Sequence, residues 1–153
     1  MNVLRLSYHP EDERHGELSA SVETGEFRGV GSAWFKIEQL REFLRLITAY
    51  PLSEGQEPNL EGGFYDETGA RLEQRHLSIR LAAHDPLGSV RVTVCVATQA
   101  SRDEERDLQQ SLTARFLVNY GEVERFRAAF AALLDGQSGE ATLEGVLYAQ
   151  KGH

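Results

Sequence analysis

The chain has 153 residues, 41% hydrophobic and 26% charged, enough for one domain that buries about two thirds of its unfolded surface and too polar for any run near the roughly 20 apolar residues that cross a bilayer. Sixteen Lys and Arg against 24 Asp and Glu leave a net charge of −8, which repels nucleic acid phosphates and anionic lipid, so neither nucleic acid nor a membrane is expected as partner. A single cysteine excludes an intrachain disulfide and any cysteine zinc site within one chain.

The opening MNVLRLSYHP carries one early Arg5 and no apolar block followed by a small-residue cleavage site, so it reads as a first strand and the expected location is the cytoplasm. Residues 2 to 8 and 17 to 24 read as strands around the charged loop HPEDERHG, the second with Leu18, Ala20 and Val22 on one side. Residues 27 to 34 continue as a strand that Gly29 and Gly31 interrupt, the mark of a bulge or of another backbone passing close. From Ile37 the period becomes helical, with Leu40, Phe43, Leu44 and Ile47 on one stripe and Pro51 as the stop.

NLEGGFYDETGARLEQRHLSIRLAAH then gives a short strand, a turn at Asp66 to Gly69, and a longer strand to His84. SVRVTVCVATQ places Val90, Val92, Val94 and Val96 on one face, and SLTARFLV does the same with Leu112, Ala114, Phe116 and Val118, which predicts a hairpin with a long charged tip. A second helix runs from about Tyr120 to Asp135, with Asn119 and Glu122 spaced as an N-cap pair and Gly136 as terminator, and ATLEGVLY supplies a last strand. There is a faint internal echo: IEQLR and VERFR open the two helices alike, each after a strand with AWF or ARF, and Ile47 matches Leu133.

Seven or eight strands in hairpin order with two helices exclude a doubly wound parallel sheet. The expected fold is a single α+β domain over residues 1–153, a predominantly antiparallel sheet with both amphipathic helices packed on one face and the other face open to solvent or a partner.

The candidate chemistry is thin. His76 and His84 stand eight residues apart on one strand, about 26 Å, so they cannot share a metal ion. His9 and His15 flank Glu11, Asp12 and Glu13 in a loop, and Cys95 sits mid-strand without a base or helix N-terminus to activate it. Gly25, Gly29 and Gly31 form no phosphate loop, and Asp66, Glu67, Asp103 and Glu104 sit in turns where carboxylates are simply solvated. No cofactor, metal or catalytic constellation is expected. Arg80, Arg91 and Arg115 fall on the polar faces of the three clearest strands. Salt bridges to glutamates such as Glu17 and Glu23 would make that face ordinary exposed sheet, whereas unpaired arginines would make it a recognition surface.

The order ELSASVETGEFRGVGSAWF, LREFLRLI, NLEGGFYD, LSIRL with VRVTVCV, and FLVNYGEVERFRAAFAALL, over about residues 17 to 135, resembles the WapI-family immunity proteins of bacterial polymorphic toxin systems. The resemblance is one of pattern and carries over no catalytic residue. It implies a cytoplasmic domain that does no chemistry and blocks a toxin by binding it, the target often having a basic cleft. Two surfaces are candidates for that contact: the acidic loops at Glu11, Asp12, Glu13 and at Asp103, Glu104, Glu105, or the sheet face bearing Arg80, Arg91 and Arg115. Competing expectations are a module that assembles with its own copies through an open sheet face, and a small-ligand-binding protein or small hydrolase with a pocket between helices and sheet.

Overall fold

The computed structural model describes residues 1–48 and 51–148. In chain order the elements are β1 (Asn2–Pro10), β2 (His15–Thr24), β3 (Phe27–Lys36), α1 (Ile37–Leu46), β4 (Asn59–Tyr65), β5 (Leu72–Ala83), β6 (Ser89–Ala97), a 3-10 turn (Asp103–Leu108), β7 (Ser111–Asn119), α2 (Tyr120–Leu134) and β8 (Ala141–Gly145). Each expected strand and helix is present. The fold is α+β, and every strand pairing is antiparallel.

The strands do not form the single sheet expected from the sequence. They divide into two sheets of four, ordered β3-β2-β1-β8 and β4-β5-β6-β7. Long-range pairing makes the division: β4 leaves the first three strands to join β5, and β8 returns across the chain to pair with β1, Leu4 opposite Leu143. Strand β3 lies against all four strands of the second sheet, and β7 lies against β2, β3 and β8 of the first. The valine row of β6, Leu77, Ile79 and Leu81 of β5, and Leu4, Leu6, Leu18 and Val22 of the first sheet therefore meet in one core. Packing this close explains the interrupting glycines of β3. A Cβ on Gly31 would stand 2.6 Å from the His76 carbonyl and 2.9 Å from Val96 Cβ, and one on Gly29 would stand 2.9 Å from Leu112.

The helices start without a linker from the ends of β3 and β7. In α2 the Asn119 side chain accepts from the Glu122 N–H at 2.8 Å and the Glu122 side chain accepts from the Asn119 N–H, the expected reciprocal cap. In α1 only half of this exists: Gln39 accepts from the Lys36 N–H at 2.9 Å, and a lysine side chain has no acceptor to return. Helix α1 ends at Leu46, ahead of Pro51, while Gly136 terminates α2 in the left-handed region at φ 74°. The helices touch through Phe43 and Phe130, ring centroids 6.3 Å apart, and through Arg41 and Asp135 at 2.6 Å. Helix α1 packs on β3 and β4, and α2 on β8, β1 and β7, so their contacts come from both sheets.

This topology is an internal duplication. Three hairpin-linked strands, a helix and a strand (β1-β2-β3-α1-β4) are followed by the same five elements (β5-β6-β7-α2-β8), and each unit's last strand pairs with the first strand of the other. The displacement that carries the cap Lys36 to Asn119 also carries Gln39 to Glu122, Leu40 to Val123, Phe43 to Phe126, Leu60-Glu61-Gly62 to Leu143-Glu144-Gly145, and Tyr65 to Tyr148. The echo IEQLR/VERFR is thus displaced by three residues from the structural equivalence, about one helical turn. Each Gly of the repeated Leu-Glu-Gly sits against the strand preceding its helix: a Cβ on Gly62 would meet Phe35 and Ala33, and one on Gly145 would meet Val118 and Phe116.

Candidate functional site

The outer face of the second sheet is built by strand register. Arg80 of β5, Thr93 of β6 and Arg115 of β7 lie directly across from one another, and Ala82, Arg91 and Leu117 form the next row. Alternation puts the valines of β6 inward and these residues outward. The three arginines converge on one depression of about 390 Å³, floored by Ala82 and Thr93. A second hollow of about 240 Å³ continues past Arg91 and Arg115 to His84, Leu147 and Tyr148. The sequence-predicted arginine face is therefore one contiguous surface.

Its electrostatics differ from those of an ordinary paired sheet face. Glu17 and Glu23, the carboxylates expected to neutralise the arginines, lie on β2 in the other sheet and cannot reach them; Glu17 instead accepts from Ser32 at 3.5 Å. Arg80 has a carboxylate at 3.5 Å, supplied by Glu57 in the loop before β4. Arg91 Nη1 lies 3.4 Å from Nδ1 of His84, and among the described residues no carboxylate lies within ion-pair distance of Arg91 or Arg115. Gathering the cations costs little. Arg80 and Arg115 are two strands apart, about 10 Å, where exposed unit charges in water repel by about 0.4 kcal/mol, less with salt. Among the described residues two guanidinium groups thus have no carboxylate partner, and such forks bind carboxylate or phosphate oxygens bidentately.

The acidic candidates do not join this surface or each other. Asp12 is occupied within its own turn, accepting from the N–H groups of Arg14 at 2.7 Å and His15 at 2.8 Å, and those bonds hold its carboxyl below the ordinary range. Glu11 and Glu13 flank it, exposed. Asp103 and Glu105 pair with Arg106 at 3.8 Å and Arg102 at 3.7 Å inside the 3-10 turn, and Glu104 is exposed beside them. Among the described residues no hydrogen bond or ion pair links the two loops.

His76 and Ser78, on the same side of β5 as Arg80, belong to the packing rather than to the exposed face. His76 is 1% exposed and Ser78 5%. The His76 ring bonds the Gln74 side chain, whose amide in turn donates to the Ala100 carbonyl at 3.0 Å and accepts from the Ala100 N–H at 2.9 Å. Phe64 stands edge-on to His76 with centroids 4.5 Å apart. These groups pin the β6–β7 tip over the first half of β5, and burial pushes the His76 pKa below its ordinary value. Nothing in the local sequence marks Gln74 for this role, since its partner lies 26 residues away. Cys95, on the outer face of β6, has Thr113 Oγ1 at 3.4 Å. Among the described residues no three of His, Cys, Asp and Glu converge as a metal site would need, and no helix is long and apolar enough to cross a membrane.

Comparison with known proteins leaves the site to be read from its own chemistry: no family model matches the chain, and no curated protein or solved structure matches it.

Proposed function

We propose that this chain is a non-catalytic, cytoplasmic protein-binding domain that neutralises a cognate bacterial toxin by stoichiometric binding, in the manner of the WapI-family immunity proteins it resembles. The recognition surface is the outer face of the second sheet, with Arg80, Arg91 and Arg115 as its charged contacts. The observation that carries this reading is the convergence of three arginines on one depression, two of them without a carboxylate partner among the described residues, in a protein of net charge −8. Arginine forks of this kind are enriched at protein interfaces because they bind carboxylates with defined geometry. In this reading both helices lie on one side of the β-structure, clear of the arginine face. Their mutual contact supports that, as does packing chiefly on β1, β3, β4, β7 and β8 rather than on β5 and β6. The acidic body and the loops at Glu11 to Glu13 and Asp103 to Glu105 steer a basic partner at long range.

Co-expression with the product of the neighbouring gene tests the reading directly, through growth rescue and co-purification at one-to-one stoichiometry. Replacing Arg91 and Arg115 by alanine should speed dissociation by tens of fold, because each loss leaves a partner carboxylate buried and unpaired. Neutralising the acidic loops should slow association and flatten its salt dependence while leaving dissociation nearly unchanged. Failure to bind or protect against any adjacent toxin, together with turnover of a small molecule in an activity screen, overturns the proposal in favour of an enzyme.

A further inference from the structure

The internal duplication exposes a difference between two hollows that occupy equivalent places. One lies at the end of β7 and is lined by Leu117, Val118, Asn119 and Glu122; the other lies at the end of β3 and is lined by the equivalent Trp34, Phe35, Lys36 and Gln39. Beside the first, β7 and the end of β8 are stitched together: the Leu117 N–H donates to the Val146 carbonyl at 2.6 Å and the Val146 N–H donates back at 2.9 Å. The displacement that takes Leu117 back to Trp34 takes Val146 back to Gly63, and the Trp34–Gly63 pair is not made. A register shift at Gly62/Gly63 turns β4 onto β5, so close that a Cβ on Gly63 would stand 1.9 Å from the Gln74 carbonyl oxygen.

The consequence is a strand edge without a strand. Among the described residues β3 makes its ladder with β2 alone, and no ladder or bridge joins it to a strand on the other side. The hollow at this edge holds about 450 Å³ and is walled by Trp34, 51% exposed, and Tyr65, 40% exposed, with Phe35 behind them. An unpaired edge next to exposed aromatic rings is the arrangement that accepts an added strand: main-chain bonds supply affinity, and the rings hold an alternate side chain.

We propose that the β3 edge at Trp34 is a docking site for one extended polypeptide segment of a partner protein, which pairs with the Trp34 backbone as Val146 pairs with Leu117 and lays an apolar side chain between Trp34 and Tyr65. The occupant is a single extended segment rather than the sheet edge of a second copy, because β3 and β4 touch at Phe35 and Gly62 and close the hollow on that side. The other half of the molecule shows what fills this place when it is filled: a residue of extended chain making two backbone hydrogen bonds. The site is separate from the arginine face and does not depend on the toxin reading.

Trp34 is the only tryptophan in the chain, so its emission reports the site without a label. The probe is a random dodecapeptide library displayed on phage and selected on the intact protein, followed by synthesis of the enriched peptides. Peptides that bind one-to-one, shift Trp34 emission, and lose at least tenfold in affinity both in Tyr65→Ala and when one of their own backbone amides is N-methylated are the expected result, with Arg115→Ala leaving binding unchanged. The N-methylated peptides test strand pairing on the unaltered protein, so the outcome does not hang on the folding of Tyr65→Ala. The proposal is overturned by the absence of any peptide that shifts Trp34 emission, by binding that tolerates N-methylation at every position, or by a concentration-dependent emission shift from the protein alone, which would make the occupant a second copy.

Discussion

The two halves of this molecule follow one plan and differ where they meet. Gly29, Gly31 and Ala33 of β3 occupy the places that Leu112, Ala114 and Phe116 hold in β7, and Gly29 lies against Leu112, its own counterpart. A position near the axis relating two equivalent units faces its own equivalent, so two large side chains there would collide and two small ones would leave a void. One thin strand and one thick strand resolve the conflict. The same divergence separates the edges, since β7 is closed by Val146 whereas β3 is left open beside Trp34. It separates the caps as well, complete at Asn119 and half-made at Lys36.

The comparison can be broken most severely in the helices. Phe126 is 0% exposed and its counterpart Phe43 is 2% exposed, so replacing either by alanine should cost about 3–5 kcal/mol in chemical denaturation. An effect no larger than that of Arg127→Ala, whose side chain makes a surface pair with Glu124, would show that helix face not to be core. Next in size is the thin strand. Gly31→Ala should lose about 1–3 kcal/mol, since the new Cβ meets the His76 carbonyl and Val96, while Ala114→Gly at the equivalent place should lose less, about 1 kcal/mol.

Near neutral pH the second half carries a dependence of its own, through His76. The native pKa of His76 is depressed by burial, so the unfolded chain takes up the proton first as pH falls below the ordinary value of 6.5. Stability should be full above that value and fall below it, by at most about 1.4 kcal/mol per pH unit. His76→Gln keeps a donor for Gln74 and should flatten the difference in thermal midpoint between neutral and mildly acidic buffer; an unchanged difference would assign the slope to other groups. The smallest effect sharpens the comparison rather than breaking it. Lys36→Asn supplies the missing acceptor at the α1 cap and should raise stability by up to about 1 kcal/mol, and Asn119→Ala should lower it by about the same amount.

Much of this architecture is legible in the residues. Helix and strand periods, the Asn119 cap with Glu122, the Gly136 stop and the valine row of β6 each express a local rule, and each is found in its expected place. The interruption at Gly29 and Gly31 also signals a close approach, though not which strand approaches. The Leu-Glu-Gly of residues 60–62, repeated at 143–145, was the available sign of duplication, stronger than the helix openings because the glycine meets a spatial demand in both copies. His76 shows where reading by alternation fails. Alternation puts it on the same row as Arg80, but the β6–β7 tip covers that end of the row, and a cover supplied by a segment more than twenty residues away leaves no periodic trace.

Local sequence by itself determined which segments are strands and helices, which side of each is apolar, where the chain turns, and that Arg80, Arg91 and Arg115 share an outward face, because these follow from φ/ψ preference and side-chain period within a dozen residues. Only the tertiary structure decided that the eight strands split into two sheets, that β8 returns to β1 and β4 to β5, and that Glu17 and Glu23 lie out of reach of the arginines. It also decided that the β3 edge stays open while the β7 edge closes. Every apolar strand face can bury itself against several others at similar gain, so the choice among pairings rests on close approaches such as Gly31 to His76 and Gly145 to Leu117, which exist only once the two halves have met.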